Sequence, residues 1–439
     1  MARRRAYAPL NVFLNSRLVG QLNREASGAI YFRYEASWLT WEYAMPVSLS
    51  LSLREDRYIG EAVLAVFDNL LPDNEDIRHR VAEKAHAAGQ DAFNLLSAIG
   101  RDCVGALQFL PEGQDPGAAG AISSRQVDEA EIANIIRNLA RAPLGIDEDD
   151  EFRISIAGTQ EKTALLYHEG GWHIPHGTTA TTHIFKPQIG DAGNGIDLSQ
   201  SVENEHFCLR LLDELGLPVT KSEILDFEDI RILSLERFDR RLTSDGRLLR
   251  LPQEDFCQAL SVAPTLKYEP DGGPGMKKIL DQLKASDTPD DDRKVFFKAQ
   301  IINWLLGATD GHAKNFSIFL HPGGGFNLTP LYDVMSAQPN VDMYQIRRNQ
   351  MKLAMAVGSN RHYGIDQIVP RHFQQVAVQC GLADTVVEET LSELKRDMAG
   401  ALDRTCATMP EGFPNEIADS ITNGVTKRMR LVDLTLAQA

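Results

Sequence analysis

At 439 residues the chain is longer than one hydrophobic core supports, since single cores stop growing at roughly 250–300 residues, so two or three structural units are expected. An apolar fraction of 43% and a charged fraction of 24% exclude a disordered chain. A net charge of −16 argues against nucleic-acid binding, except through a local basic patch or a basic partner.

Cysteine usage and hydropathy predict a cytoplasmic protein without a membrane segment. The five cysteines are odd in number and scattered along the sequence, which argues against a disulfide framework or a zinc knuckle and suits a reducing compartment. The sequence has neither a signal peptide nor an apolar run long enough to span a bilayer. The basic run Arg3-Arg4-Arg5 is typical of a solvated tail.

The N-terminal part opens with strand patterns at 12–14 and 18–20. Apolar residues alternate with serine over 47–53, which also predicts a strand with one buried face. Helical patterns follow around 60–70 and 76–88, and Pro72 ends the first of them. Loop composition at 111–124 precedes a further helical pattern at 127–140.

The acidic run 147–151 is typical of a solvated loop and marks a predicted domain boundary, so residues 1–150 form a first unit. Beyond it, strands are predicted at 164–167, 172–174, 182–186, 222–227 and 230–236. An amphipathic helix over 203–215 interrupts them and ends at Gly216. Residues 151–254 are therefore predicted to form a second, sheet-rich unit with one helix.

The remaining unit, 255–439, is predicted to be mainly helical. The segment 295–306 is apolar almost all round and predicts a buried central helix. Helical patterns recur at 371–380, 384–402 and 414–436. The predicted fold class is α+β, a two-lobed protein-kinase-like fold with an extra strand-rich N-terminal subdomain and a mainly helical C-terminal lobe.

Asp310 and Asn315 have the spacing of the catalytic aspartate and metal-binding asparagine in the catalytic loop of protein kinases. That spacing is weak alone, because chance supplies it about once in a chain of this length. Three features support it. The loop follows the buried helix 295–306, Asp333 follows an apolar pair eighteen residues later, and Lys186 ends a strand of the sheet-rich lobe.

These residues predict a phosphoryl-transfer site with Asp310 at the attacking hydroxyl. Asn315 and Asp333 would hold Mg²⁺, and Lys186 would neutralise the α- and β-phosphates of ATP. The simpler alternative for Lys186 is an edge-strand lysine. The acid orienting Lys186 is expected on helix 203–215, with Glu205 preferred and Glu203 the alternative.

Two further segments would complete the nucleotide site. Gly158 permits close backbone approach to an anion, and Lys162 adds charge, although 155–162 matches neither a Gly-x-Gly-x-x-Gly loop nor a P-loop. The turn 235–238 leaves the last strand of the sheet, where backbone groups can bind adenine edges. Phe238 is equally typical of a core residue.

The same residues resemble the HipA family. The resemblance lies in 152–166, 181–186, 198–205, 235–241, 251–255, 309–315 and 332–333, with 67–73 and 99–102 similar to the family's N-terminal motifs. It covers nearly the whole chain.

The resemblance implies a serine/threonine kinase toxin of a bacterial type II toxin–antitoxin pair. It implies a HipB-type helix-turn-helix antitoxin as partner, with which the kinase acts as co-repressor on operator DNA. It also implies a protein substrate, glutamyl-tRNA synthetase in the best-known member, whose phosphorylation favours persistence. The segment 373–383 contains no Lys or Arg, so direct DNA contact there is not predicted.

Carried over residue by residue, the resemblance makes Asp310 catalytic, Asn315 and Asp333 magnesium ligands, and Lys186 the phosphate lysine. It makes Ser155 the autophosphorylated serine whose modification inactivates the kinase, by pulling the nucleotide loop from the ATP site. The predicted nucleotide contacts are Ala157, Gly158, Thr159, Gln160, Glu161, Lys162, Glu236, Phe238, His312, Lys314 and Tyr332.

Two other functions fit parts of the sequence. A catalytically weak co-repressor subunit would need no active site, and the presence of Asp310, Asn315, Asp333 and Lys186 argues against it. A metal-dependent hydrolase could use His312, Asp310 and Asp333, but the sequence lacks the paired His ligands of such sites.

Overall fold

A computed structural model describes residues 7–145, 153–193 and 195–437. The basic run at Arg3 and the acidic run 147–151, with the domain boundary predicted there, lie outside the described residues. The domain limits at 150 and 254 therefore stay a prediction.

The N-terminal part is an antiparallel sheet covered by short helices. Its strands β1 to β7 are Leu10–Leu14, Arg17–Arg24, Ile30–Tyr34, Tyr58–Ile59, Asp102–Cys103, Leu107–Pro111 and Ser124–Gln126. Its helices α1 to α5 are Ala36–Leu39, Glu61–Asp68, Glu75–Lys84, Ala92–Ile99 and Glu129–Arg137. Five of the strands form one sheet in the order β4-β3-β2-β1-β6.

The strand predicted at 47–53 is wrong, because this segment forms turns and bends. Its polar groups bond to the helical lobe instead of to a neighbouring strand. The hydroxyls of Ser48 and Ser50 donate to the Gln258 carbonyl at 3.3 and 2.8 Å, and the Leu49 N–H donates to Glu254 at 2.7 Å. Ser48 is as fully buried as Leu51, so burial does not follow the alternation of apolar residues and serines in this loop.

The central part is a six-stranded sheet with one helix. Its elements are β8 to β15 at Ile154–Ser155, Thr163–His168, Gly171–Pro175, His183–Pro187, Gly190–Asp191, Asp197–Leu198, Ser222–Phe227 and Ile230–Glu236, and α6 at Ser201–Glu214. The sheet order is β14-β15-β11-β9-β10-β7. The predicted strands and helix are confirmed here, including the end of α6 before Gly216, whose φ of 76° suits glycine.

The C-terminal part is mainly helical. Its helices α7 to α13 are Phe256–Ala259, Met276–Gln282, Pro289–Leu306, Gln338–Asp342, Pro370–Cys380, Asp384–Thr408 and Asn415–Leu436. Its strands β16 to β22 are Arg240–Leu242, Leu248–Arg250, Gln253–Asp255, Ser317–Leu320, Phe326–Leu328, Lys352–Val357 and His362–Gly364. In the described ranges no helix is long and apolar enough to cross a membrane.

Helix α9 is the centre of the helical lobe, as the sequence predicts. It begins six residues earlier than the apolar segment, with Pro289 at its first position and three aspartates in its first turn, where carboxylates interact favourably with the helix dipole. Phe297, Ile301, Trp304 and Leu305 are fully buried. The catalytic-loop segment therefore starts from a rigid support.

Two apolar clusters meet at the six-stranded sheet. One gathers α6, α9 and the C-terminal helices, and reaches the sheet through Leu233 and Leu235. The other runs from the N-terminal sheet to Phe185 and Ile232. The sheet is thus held between the N-terminal part and the helical lobe, and the architecture is α+β and kinase-like.

Candidate functional site: a cleft beside the central helix

A cleft of about 210 Å³ opens between the six-stranded sheet and the loop that follows α9. All of the predicted site residues except Ser155 and Glu161 line it. They come from positions as far apart as 157 and 333, so the fold brings together residues that the sequence separates.

The loop 309–315 is held by its own hydrogen bonds. Helix α9 ends at Gly307, whose φ of 69° lies in the left-handed region, and the chain then turns toward the cleft. The side chain of Asn315 donates to the Asp310 carbonyl at 2.8 Å, and the His312 N–H donates to the same oxygen at 2.7 Å. The Asp310 side chain is left 55% exposed, which suits a group that must reach a second molecule.

Lys186 on β11 lies between two carboxylates. Its ammonium donates to both oxygens of Glu205 at 2.8 and 3.0 Å, and to Asp333 at 2.7 Å. Burial alone would lower the pKa of Lys186, but Asp333 and Glu205 raise it above its ordinary value, so the ammonium stays charged. Lys186 is therefore a buried site residue and not an edge-strand lysine.

The structure separates the two candidate partners of Lys186. Glu205 contacts the lysine, whereas Glu203 accepts hydrogen bonds from Gln188 at 2.7 Å and from Arg231 at 3.3 Å. The two acids lie two positions apart on α6, so their side chains project from different faces of the helix. The geometry favours the preferred candidate, Glu205.

Asp333 has a backbone conformation that is uncommon for a non-glycine residue. Its φ of 59° is in the left-handed region, which Asp adopts more readily than most side chains. Burial would raise the pKa of its carboxyl, but Lys186 and Lys162 hold the pKa well below its usual range. Asp333 is thus an ionised carboxylate.

Lys162 folds back across the loop 157–162. Its ammonium donates to the Ala157 carbonyl at 2.8 Å, and Gln160 ties the loop to the sheet by donating to the Pro187 carbonyl at 2.8 Å. Gly158 has a φ of 115°, and a Cβ added there would clash with the Lys162 ammonium. Burial and the neighbouring Lys186 lower the pKa of Lys162 to about 8.

The turn after β15 forms the opposite wall. Phe238 packs against Tyr332 with ring centroids 5.7 Å apart, and the Tyr332 hydroxyl donates to the Lys314 carbonyl at 2.8 Å. Glu236 is exposed, and its carbonyl accepts a hydrogen bond from Thr220 at 2.8 Å. Phe238 thus lines the cleft and also packs on its neighbours.

A buried charge cluster fixes this turn. Asp102 contacts three arginines: Arg240 at 2.9 Å, Arg250 at 2.8 Å and Arg237 at 3.3 Å. Asp239 adds a second carboxylate, and Arg237 and Arg240 lie 2.8 and 3.0 Å from it. Each of the five side chains is at most 4% exposed. Asp102 belongs to the N-terminal part, so the turn is anchored to that part of the chain.

Two predicted site residues lie outside the cleft. The Ser155 hydroxyl is fully buried and donates to the Leu70 carbonyl at 2.7 Å, and its strand pairs with β5. The Glu161 carboxylate forms an ion pair with Arg80. The structure therefore does not bring the side chain of Glu161 to the cleft.

Sequence reasoning missed four polar residues that line or adjoin the cleft. Asp73 binds Lys314 and Lys267 at 2.6 and 2.9 Å, and the Tyr268 hydroxyl donates to the Asp310 carboxylate. Asp255 is buried, which raises the pKa of its carboxyl to about 6. Asp73 and Asp255 lie in the segments 67–73 and 251–255, which resemble the family but carry no predicted role, and no local spacing indicates Lys267 or Tyr268.

The donor set fits a magnesium nucleotide. Asn315 uses its amide nitrogen within the loop, and its amide oxygen accepts no hydrogen bond from the described residues, so it is free to coordinate a cation. Mg²⁺ prefers one or two protein oxygens and takes its other ligands from phosphates and water. Within the described ranges, no group of three or more His, Cys, Asp and Glu side chains is arranged to hold a metal without such help.

His312 is 3% exposed and lies between the cleft and Tyr268, with ring centroids 4.9 Å apart. Burial lowers the pKa of its imidazole, so the ring is neutral at neutral pH. One of its nitrogens, Nε2, lies 3.9 Å from Asp310, and the other is buried without a hydrogen-bond partner among the described residues.

The sequence matches family models over most of its length. Residues 154–402 match the model of the HipA-like C-terminal domain, and residues 10–110 match that of the HipA N-terminal domain. A Sinorhizobium fredii protein named "Putative kinase Y4mE" is 34% identical over 96% of this chain and 98% of its own. The Shewanella oneidensis "Serine/threonine-protein kinase toxin HipA" is 28% identical over 79% of this chain and 78% of its own.

A solved structure agrees along the whole chain. The Shewanella oneidensis toxin–antitoxin complex of HipA, HipB and operator DNA contains a chain that superimposes with a TM-score of 0.81 at 25% identity, covering 98% of this chain and 99% of that one. The protein has a kinase-like fold. It belongs to the HipA family of kinase toxins.

Proposed function

We propose that this chain is an ATP- and Mg²⁺-dependent serine/threonine protein kinase, the toxin of a HipA/HipB-type pair. The observation that carries the proposal is the position of Lys186 between Glu205 and Asp333, beside a loop that presents Asp310 and Asn315 to the same cleft. These are the parts that phosphoryl transfer requires: a charged lysine, metal-binding oxygens and an exposed aspartate.

ATP bound with Mg²⁺ would supply the phosphoryl group to be transferred. Lys186 and Lys162 would bind the phosphates, and Asn315 and Asp333 would hold the cation. Asp310 would orient the attacking hydroxyl and accept its proton. The Tyr332–Phe238 wall would contact the adenine.

Ser155 is the proposed site of autophosphorylation. Its hydroxyl is buried in this conformation, so strand β8 must separate from β5 before Ser155 can react. A phosphate on Ser155 adds nearly two negative charges and cannot return to a site built around the Leu70 carbonyl. Phosphorylation would thus displace the adjoining loop 157–162 and switch the kinase off.

A HipB-type antitoxin is the proposed partner, and operator DNA would be reached mainly through the complex. Support comes from the full-length similarity to the HipA chain of the HipA–HipB–operator complex. The net charge of −16 favours a DNA contact made chiefly by the antitoxin. The proposed substrate is a protein, glutamyl-tRNA synthetase by family resemblance.

The test is labelling of the purified protein with ATP and Mg²⁺, followed by phosphopeptide mapping. We expect label on Ser155, no label in Asp310→Asn, and normal labelling in Asp245→Asn, a control at the exposed β16–β17 hairpin. Label found only on other residues would refute the assignment of Ser155. Equal ATP consumption by Asp310→Asn and the wild type would favour the weak co-repressor function instead.

The alternative function, a metal-dependent hydrolase, can be tested with the same purified protein. A kinase of this design is stabilised against heat by ATP with Mg²⁺, since a ligand that binds only the folded state raises its stability. Absence of that protection would favour the hydrolase.

A further inference from the structure

One short segment of the N-terminal part touches both loops of the proposed site. Residues 69–73 follow helix α2 and are here called the 69–73 turn. The Asp73 carboxylate binds Lys314 of the catalytic loop at 2.6 Å, and the Asp73 N–H donates to the Gly158 carbonyl of the nucleotide loop at 3.0 Å. A single residue therefore connects the catalytic loop and the nucleotide loop of the proposed site.

Asp73 also restrains the catalytic loop from a second direction. Its other carboxylate oxygen binds Lys267 at 2.9 Å, and the Lys267 carbonyl accepts a hydrogen bond from the Ala313 N–H at 3.4 Å. Lys267 precedes Tyr268, whose hydroxyl donates to the Asp310 carboxylate. Through Lys267, Asp73 thus acts on a segment that contacts Asp310 itself.

Burial makes this charge arrangement specific. The side chains of Asp73, Lys314 and Lys267 are 8%, 4% and 12% exposed. Burial alone would raise the pKa of Asp73, but Lys314 and Lys267 lower it below its ordinary value, so the carboxylate is ionised. Removing this charge would leave two poorly solvated ammonium groups without an ion-pair partner among the described residues, and they would separate or move toward water.

We propose that Asp73 is a positioning residue of the phosphoryl-transfer site, which fixes Lys314 and the catalytic loop relative to Gly158 and the nucleotide loop. The N-terminal part is then a working component of the kinase. This inference rests on the proposed function, because the site that Asp73 positions is the proposed kinase site.

The variants are Asp73→Asn, which removes the charge with little change of shape, and Asp73→Glu, which keeps it. The matched control is Asp68→Asn, five residues earlier. Asp68 also has a basic partner, Arg78 at 2.8 Å, but it contacts neither loop.

The first measurement is hydrogen exchange of the protein without nucleotide, which needs no kinase activity. We expect peptides that cover 309–315 and 157–162 to exchange about tenfold faster in Asp73→Asn than in the wild type. Asp68→Asn should match the wild type, and Asp73→Glu should restore most of the protection. In a Lys314→Met background, Asp73→Asn should add little to exchange at 309–315.

The second measurement is phosphorylation kinetics at a temperature where every variant is folded. Asp73→Asn should lower kcat by about 10²-fold, because misplacement of reacting groups by about 1 Å costs that much, with a smaller change in KM for ATP. A stabilising role alone would lower the melting temperature and leave kcat of the folded protein unchanged.

Unchanged exchange in both loops, or equal effects of Asp73→Asn and Asp68→Asn, would overturn the inference. A loss of kcat with unchanged exchange would also overturn it, because Asp73 would then act on a bound molecule directly. An inactive wild type whose loops still exchange faster in Asp73→Asn would refute the proposed function and leave the positioning role supported.

Discussion

The clearest prediction concerns the acid that holds Lys186. Glu205→Gln removes the negative charge from a carboxylate that accepts two hydrogen bonds from the lysine at 2.8 and 3.0 Å. Glu203→Gln makes the same change two positions away on α6, at a residue that is equally buried but contacts Gln188 and Arg231. The pair separates the effect on Lys186 from a general effect of altering a buried acid.

The magnitude follows from the burial of the ion pair. Both side chains are at most 7% exposed, and removing one partner of such a pair costs about 2–5 kcal/mol. The amide introduced by Glu205→Gln would still accept one hydrogen bond, and Lys186 keeps its contact with Asp333. We therefore expect a cost at the lower limit of this energy range. A loss of about 2 kcal/mol corresponds to roughly a 30-fold decrease in kcat/KM for ATP.

The assay is initial-rate kinetics with ATP and Mg²⁺, together with thermal unfolding of each variant with and without nucleotide. We expect the 30-fold decrease only for Glu205→Gln, with Glu203→Gln within about threefold of the wild type. If Glu203→Gln lost as much activity as Glu205→Gln, the contact seen at Lys186 would not be the one that matters in catalysis.

Two further predictions follow from backbone strain and from pH. Gly158→Ala should raise KM for ATP, because the added Cβ would displace the Lys162 ammonium. The control is Gly170→Ala, at a φ of 82° with no atom near the added Cβ, which should cost similar stability, about 1–3 kcal/mol, without changing KM. Equal KM values for the two variants would refute the role of Gly158. Burial raises the pKa of Glu254 from its ordinary value of 4.5 to about 8, so the folded state keeps a proton that the unfolded state has lost. The stability that this proton contributes is complete below pH 4.5 and is lost as the pH rises through about 8. Denaturant midpoints should therefore fall between about pH 5 and pH 8 less steeply in Glu254→Gln than in the wild type, and parallel curves would contradict the protonated state of Glu254.

Local pattern predicted the parts of this fold that are determined locally. The hairpin 222–236, the stop of α6 at Gly216 and the central helix follow from period and from turn residues, and the structure confirms them. The loop 309–315 could be found because its residues are close in sequence and their spacing is that of a known chemistry.

Contacts between residues that are far apart in the sequence could not be predicted from local patterns. Asp73 and Lys314 are 241 positions apart, and nothing in either neighbourhood indicates the other. The alternation at 47–53 predicted a strand because a period of two is typical of one buried face, but here the serine hydroxyls and the Leu49 N–H bond to Gln258 and Glu254. Which of Glu203 and Glu205 meets Lys186 depended on the rotation of α6, which sequence spacing does not determine.

The buried cluster around Asp102 has a consequence for synthesis. Its arginine partners lie 135 to 148 residues further along the chain. At about 5–20 residues per second, a ribosome adds that stretch in roughly 7–30 seconds. Throughout that interval the emerging N-terminal part carries a carboxylate that it cannot bury by itself, because an unpaired buried charge is strongly destabilising. The interface that anchors the turn at Phe238 therefore closes only after Arg250 has been made, and until then a nascent chain holds an incomplete cleft.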